Sequence, residues 1–85
     1  MLNNKSILVT GGTGSFGYKF IETVLTNHKP NKLIIYSRDE LKQFNMQQEW
    51  TSSNDTMIRY FIGDVRDYHR LKMAMAGVDI VIHAA

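Results

Sequence analysis

Four of the chain's six glycines crowd into Thr10-Gly11-Gly12-Thr13-Gly14-Ser15-Phe16-Gly17. The run fits G-x-G-x-x-G through Gly12, Gly14 and Gly17, and G-x-x-G-x-x-G through Gly11, Gly14 and Gly17. It follows the apolar Ile7-Leu8-Val9 and precedes a segment with helical spacing. A glycine-rich turn between strand and helix brings bare backbone N–H groups to a helix N-terminus, whose partial positive charge suits a phosphate. In that frame Gly11 permits the tight turn, Gly14 lets a pyrophosphate approach the backbone, and Gly17 lets helix pack on strand. A phosphate-loop NTPase is excluded, because Gly17 is followed by Tyr18-Lys19 and not by Lys-Ser/Thr.

A second position decides which dinucleotide. NAD-binding folds of this kind place an acid about 20 residues beyond the glycines, at the end of the second strand, to accept from the ribose 2′-hydroxyl. Here Tyr36 is followed by Ser37 and Arg38. A guanidinium there pairs with a 2′-phosphate, and Lys42 is placed one helical turn on to add a second cation. This arrangement favours NADP. The competing reading has Asp39 gripping the ribose hydroxyls, which favours NAD. Asp64 and Val65 follow the third strand and border the same crevice. Asp64 is suited to accept from an adenine amino group while Val65 packs on the ring; its alternative role, capping the next helix, fits Asp67 better. Ala84 and Ala85, after the fourth strand, are small enough to let ribose and phosphates lie against backbone.

No catalytic constellation accompanies these residues. Of the tyrosines only Tyr68 has a lysine four residues on, Lys72, and that pair falls in a crossover helix, the wrong element for catalysis in this topology. His83 at a strand end has no identifiable partner for acid–base work. His28 and His69 lack metal-ligand spacing, and the chain has no cysteine. Met46, Met57, Met73 and Met75 read as packing or surface residues.

The elements that must position these groups are legible from periodicity. Ser6 to Thr10 is short, apolar and β-branched, a fully buried strand. From Ser15, the residues Phe16, Phe20, Ile21, Val24 and Leu25 fall at helical spacing, and the helix ends before Pro30. Lys32 to Tyr36 is a second strand. Asp39 caps a helix over Glu40 to about Trp50, with Leu41, Phe44 and Gln48 on its inner side and Trp50 closing it against the sheet. Thr51 to Asp55 is loop. Met57 to Ile62 is a third strand. Tyr68 to Ala76 is a short helix with Leu71, Met75 and Tyr68 inward, stopped by Gly77. Val78 to Ile82 is a fourth strand.

The order β-α-β-α-β-α-β with short connections implies an α/β fold with a parallel sheet, the N-terminal part of a Rossmann fold. With right-handed crossovers and the usual Rossmann order, the first strand lies between the second and fourth and the first two helices share one face. The third helix then stands almost alone on the other, leaving that face poorly covered and the fourth strand as an exposed edge. An apolar strand directly before the last residues reads as the N-terminal part of something longer.

Composition sets the outer limits. The chain is 44% hydrophobic and 21% charged, with a net charge of +2, ordinary for a globular domain. Basic residues alternate with acids (Lys5, Lys19, Arg38, Asp39, Glu40, Lys42), so no nucleic-acid stripe forms. No apolar run approaches the ~18 residues of a membrane span, and no signal-peptide core is present. A cytoplasmic protein is the expectation.

Together, the Thr10–Gly17 turn, Tyr36-Ser37-Arg38-Asp39-Glu40-Leu41-Lys42, Ile62-Gly63-Asp64-Val65-Arg66-Asp67 and Ile82-His83-Ala84-Ala85 resemble the inverting UDP-N-acetylglucosamine 4,6-dehydratases of bacterial capsule, flagellin-glycan and pseudaminic acid pathways. These are extended short-chain dehydrogenase/reductases, and the likeness spans nearly the whole chain. The resemblance implies NADP held by Thr13, Gly14, Ser15 and Phe16, by Ser37, Arg38, Asp39 and Lys42, by Asp64 and Val65, and by Ala84. It implies a UDP-sugar substrate, with hydride removal at sugar C4, loss of water across C5–C6 and hydride return to C6 with inversion at C5. The family's catalytic Asp/Lys and Tyr/Lys residues are expected beyond Ala85. A non-catalytic NADP-binding regulator, and an epimerase or reductase acting on another nucleotide sugar, stay open at this point, as does a homo-oligomeric assembly.

Overall fold

A computed structural model describes residues 2–52 and 56–84. Seven elements alternate along it: β1 (Ser6–Thr10), α1 (Ser15–Asn27), β2 (Lys32–Ser37), α2 (Glu40–Glu49), β3 (Met57–Ile62), α3 (Tyr68–Ala74) and β4 (Ile80–His83). The four strands form one parallel sheet in the order β3-β2-β1-β4. β1 between β2 and β4 is the start of the Rossmann strand order, and right-handed crossovers then put α1 and α2 on one face and α3 on the other. In the expected loop over Thr51 to Asp55, Ser53, Asn54 and Asp55 lie outside the described residues, as does Ala85.

The sheet's two faces are built from alternating side chains. Ile7, Val9, Leu33 and Ile35 point to one side and pack with Ile21 and Val24 of α1 and Met46 of α2. Leu8, Ile34 and Tyr36 point to the other and pack with Ala74 of α3. All five residues of β1 are buried, which is why its sequence is continuous rather than alternating. Each such Ile, Leu or Val contributes about 1.5–3 kcal/mol through burial. The third helix alone seals the middle of its face; the flanks stay open, with Met57 of β3 exposed and Val81 of β4 44% exposed.

Caps define the helices. Asp39 accepts from the Lys42 N–H at 2.9 Å and Asp67 from the Arg70 N–H at 3.1 Å, each opening its helix. Gly77 takes φ 74°, the left-handed turn that ends α3.

The helix faces agree with expectation in part: Ile21, Val24, Phe20 and Leu25 of α1 and Leu71 of α3 pack on the core, but other expected residues do not. Phe16, Leu41, Phe44 and Tyr68 are exposed, and Gln48 and Met75 are exposed too. The buried positions are Gly17 and the expected Ile21 and Val24 on α1, Gln43 and Met46 on α2, and Ala74 on α3. At the start of α1 only glycine fits against the turn, and on α2 the Gln43 amide is buried because it bonds the ends of β2 and β3, while Leu41 and Phe44 are turned outward. Trp50 does pack on the sheet, with its ring centroid 4.7 Å from that of Tyr18.

Closest of all is the start of α1. A Cβ on Gly17 would sit 2.5 Å from the Gly11 carbonyl oxygen and 2.6 Å from Gly12 Cα. Both are backbone atoms and cannot yield without moving the turn. Gly17→Ala should therefore lower unfolding free energy by about 3 kcal/mol. A denaturant titration showing a loss below 0.5 kcal/mol would mean that the helix can slide and that this contact is not fixed.

Candidate functional site

Three strand ends are tied to the next strand by one more hydrogen bond. The Gly11 N–H donates to Tyr36 O, the Gly63 N–H to Ser37 O and the Ala84 N–H to Thr10 O, each at 2.9 Å. The connecting segments after β1, β2, β3 and β4 therefore leave from one rim, in register. Every residue that the sequence nominates for cofactor binding lies on this rim or at the first turn of the helix that follows.

The turn after β1 has a specific anatomy. Gly11 adopts φ 66°, the left-handed region. Gly17 is buried and acts through packing. Gly14 differs from both: its backbone is extended (φ −76°, ψ 174°), and a Cβ there would meet only Gly11 O, at an ordinary 3.5 Å. Gly14 is also the N-cap of α1, yet no side chain caps this helix and its first turn holds no acid. Ser15 and Phe16 are exposed beside it. The helix start is open and carries the positive end of the dipole.

A cleft of about 320 Å³ opens beside the turn, lined by Gly11, Tyr36, Ser37, Arg38, Gly63, Asp64, Val65 and Arg66. It gathers five of the nominated residues from the ends of three strands. Val65 offers it an exposed apolar wall. Thr13 and Lys42 line a separate groove of about 200 Å³ between α1 and α2, together with Tyr18 and Glu49. Lys42 thus approaches from the α2 side, not beside Arg38. Asp39 has one carboxylate oxygen committed to capping α2. Ala84 is half-buried at the end of β4. A larger cleft, about 520 Å³, opens at the opposite end of the sheet around Asn3, His28, Trp50 and Thr56, away from all nominated residues.

Charge in the cleft centres on Asp64. Its carboxylate accepts from the Arg66 backbone N–H at 2.8 Å, from Arg66 Nε at 3.1 and 3.2 Å, and from Arg66 Nη2 at 2.8 Å. Arg38 Nη1 reaches it only at 3.5 Å, and the Arg38 side chain is 72% exposed. The Arg66 side-chain bonds first, then its backbone N–H, hold the Asp64 carboxyl well below the usual carboxylate range. Arg66 is committed to Asp64, whereas Arg38 is barely held and presents a guanidinium for an incoming anion. An adenine amino group would have to share Asp64 with Arg66.

Three contributors escaped sequence reasoning. The Asp64 turn is legible as an Asx turn, in which Asp64 accepts from the N–H two residues on, but that pattern does not call for the Arg66 side chain. Tyr36 donates its hydroxyl to Asp64 O at 2.9 Å, and its ring lies where a Cβ on Gly63 would fall, 2.6 Å from Tyr36 Cζ. Gln43 of α2 donates into the ends of β2 and β3. Of the residues weighed for catalysis, His83 Nδ1 lies 2.6 Å from Thr10 Oγ1, bridging β4 and β1, and Tyr68 and Lys72 sit outside the cleft on α3.

Because Arg66 depresses the Asp64 carboxyl, that group is expected to stay ionised well below its ordinary midpoint of about 3.9. Its stabilising pair is fully present above that midpoint and is lost only as pH falls through the depressed folded value. A carboxyl-carbon NMR titration should show Asp64 unchanged down to about pH 3, and Arg66→Gln should move its midpoint up toward the ordinary value. An ordinary midpoint in the unmodified protein would dissolve the clamp.

Comparison with known proteins bears on this geometry. A family model described as polysaccharide biosynthesis protein matches residues 7–85. An inverting UDP-N-acetylglucosamine 4,6-dehydratase of Campylobacter jejuni is 61% identical over the whole chain. A UDP-glucose 4-epimerase of Rickettsia bellii is 47% identical, again over the whole chain. Each match occupies 25% of the relative's own length, so the chain spans a quarter of these proteins. Among solved structures, the X-ray structure of Pen from Bacillus thuringiensis superposes with a TM-score of 0.88 at 38% identity, covering all of this chain and 25% of that one. With the strand order, the glycine turn and the family match in agreement, the chain belongs to the polysaccharide biosynthesis protein family.

Proposed function

We propose that the chain is the NADP-holding part of a nucleotide-sugar 4,6-dehydratase acting on UDP-N-acetylglucosamine. Residues 1–85 are then the N-terminal portion of the cofactor-binding Rossmann domain, with the substrate-binding part elsewhere in a longer protein. The observation that carries the cofactor reading is Gly14. Backbone conformation accounts for Gly11, and packing accounts for Gly17. Neither accounts for Gly14, which adopts an ordinary conformation, faces open space and leaves a helix start uncapped. Its missing side chain makes sense as room for a ligand phosphate at a helix dipole.

The residues present fit a dinucleotide laid across the rim. Thr13, Ser15 and Phe16 offer backbone N–H groups to the pyrophosphate, while Gly14, whose own N–H donates to Gly11 O at 3.1 Å, leaves room for it. Arg38 and Ser37 face the 2′-phosphate, with Lys42 approaching from the groove on the α2 side. Val65 packs on the adenine and Asp64 accepts from its amino group. Asp39 holds α2 in place, and Ala84 leaves room at the end of β4. When bound, NADP supplies hydride acceptance from sugar C4 and hydride return to C6, around loss of water across C5–C6 with inversion at C5. No proton-transfer role is assigned to a residue of this chain.

Dehydratase is preferred to epimerase because the 61% identity to the dehydratase exceeds the 47% to the epimerase. A UDP-sugar substrate is common to the names of both. A product assay with the full-length protein and UDP-N-acetylglucosamine decides between them: a 4-keto-6-deoxy product supports the reading, and a C4 epimer, or no turnover of a folded NADP-bound protein, refutes it.

Two substitutions test the cofactor site. Gly14→Ser adds a favoured N-cap, so thermal stability should hold or rise, by ~0.5 kcal/mol, while its side chain intrudes on the phosphate and NADP affinity falls at least ~10-fold. Arg38→Ala should weaken NADP about 10- to 100-fold and NAD less than about twofold, because only NADP carries the 2′-phosphate. Equal affinities for NADP and NAD in the parent protein would refute the 2′-phosphate assignment.

A further inference from the structure

Gln43 is a buried amide that the cofactor reading leaves unexplained. It is 1% exposed, on the inner side of α2, beneath the cleft. Its Nε2 lies 3.0 Å from Ser37 Oγ, 3.3 Å from Ser37 O and 3.0 Å from Phe61 O. Its Oε1 is buried with no partner. An orphaned carbonyl is a cost to folding, and a hydrocarbon side chain of the same length would avoid it. What a hydrocarbon could not do is donate.

Donation fixes the polarity of Ser37. A serine hydroxyl has one proton and two lone pairs, and can turn either way. An amide nitrogen only donates; its two protons go best to the two oxygens at 3.0 Å, Ser37 Oγ and Phe61 O, so Ser37 Oγ accepts from Gln43 and its own proton points elsewhere. Among the described residues that proton meets no acceptor. Ser37 is 7% exposed and lines the cleft between Tyr36 and Arg38, the side from which an incoming acceptor would meet that proton.

We infer that Gln43 is a positioning residue for cofactor selectivity: by donating to Ser37 Oγ from below, it makes the Ser37 hydroxyl a dedicated hydrogen-bond donor to an anion beside Arg38. This rests on the reading of the cleft as a 2′-phosphate site and adds to it a residue that touches no ligand. The device costs Gln43 an unsatisfied oxygen. It returns a neutral donor, already oriented, next to an exposed guanidinium. Arg38 supplies charge and Ser37 supplies direction.

The test is direct titration of the full-length protein with NADP and with NAD, read as dissociation constants, together with thermal unfolding of each variant. Gln43→Met keeps the volume and removes the donor. It should weaken NADP about tenfold and leave NAD within about twofold, as expected for one hydrogen bond to a charged group. Ser37→Ala should show the same loss, and the double variant should lose no more than either single change, since both break one bond. Gln43→Asn, whose amide is withdrawn by one methylene, serves where Gln43→Met fails to fold, and should also lose the preference. A folded Gln43 variant that keeps full NADP preference while Ser37→Ala loses it overturns the inference and leaves the cofactor site standing. A parent protein that does not distinguish NADP from NAD overturns both.

Discussion

The first turn of α1 rests on the turn after β1 with no space for a methyl group between them, and the geometry of the rim follows from that contact. Gly17 lies against the backbone of Gly11 and Gly12, so the helix axis is held at a fixed place above the sheet. That placement aims the open N-terminus of α1 over the ends of the strands rather than beside them. A helix set farther out would still bury Ile21 and Val24, but its dipole would no longer point at the place where β1, β2 and β4 deliver their connecting segments. The parallel register does the rest, because one further hydrogen bond beyond each strand carries Gly11, Gly63 and Ala84 out at a common level.

Electrostatics on this rim divides cleanly between committed and available groups. Arg66 is spent on Asp64, in several bonds, and Tyr36 holds the backbone of the same residue from beneath. Asp39 and Asp67 are spent on capping α2 and α3. Beside the cleft, the groups left free or loosely held are positive or donating: the N-terminus of α1, the Arg38 guanidinium with its 3.5 Å contact to Asp64, and the Ser37 hydroxyl proton. A polyanion is the ligand class that satisfies all three. The buried amide of Gln43 belongs to the same logic, since a polar group in the core is retained where the polarity of a neighbour matters more than the stability that a hydrocarbon would add.

Strand positions, strand order and two of the three helix caps were legible in the sequence because they depend on local chemistry. A continuous Ile-Leu-Val run belongs in a doubly covered parallel strand, Asp before a run of helix formers is a cap, and short crossovers allow only one hand. The inner face of α1 was legible in Ile21 and Val24, but that of α2 was not. Leu41 and Phe44 look like core by hydrophobicity, yet they are exposed, while Gln43 is buried. Periodicity reports that a helix has two sides; it does not say how near the helix lies to its sheet, or that a buried amide finds bonds at the strand ends. Arg66 was overlooked for a related reason. A surface arginine in a turn has the same composition whether it is solvated or locked to a carboxylate.

By itself, then, the amino-acid sequence determined the βαβ frame, the glycine turn and the residue types brought to the cleft, because backbone conformational limits and apolar patterning act over a few residues. Tertiary structure alone decided which glycine is open and which is filled, that Asp64 is already held by Arg66 while Arg38 is nearly free, that Lys42 stands in a different groove from Arg38, and that Gln43 sets the direction of the Ser37 hydroxyl. Each of these depends on distances between segments far apart in the chain. Such distances are fixed only when the two faces of the sheet are packed.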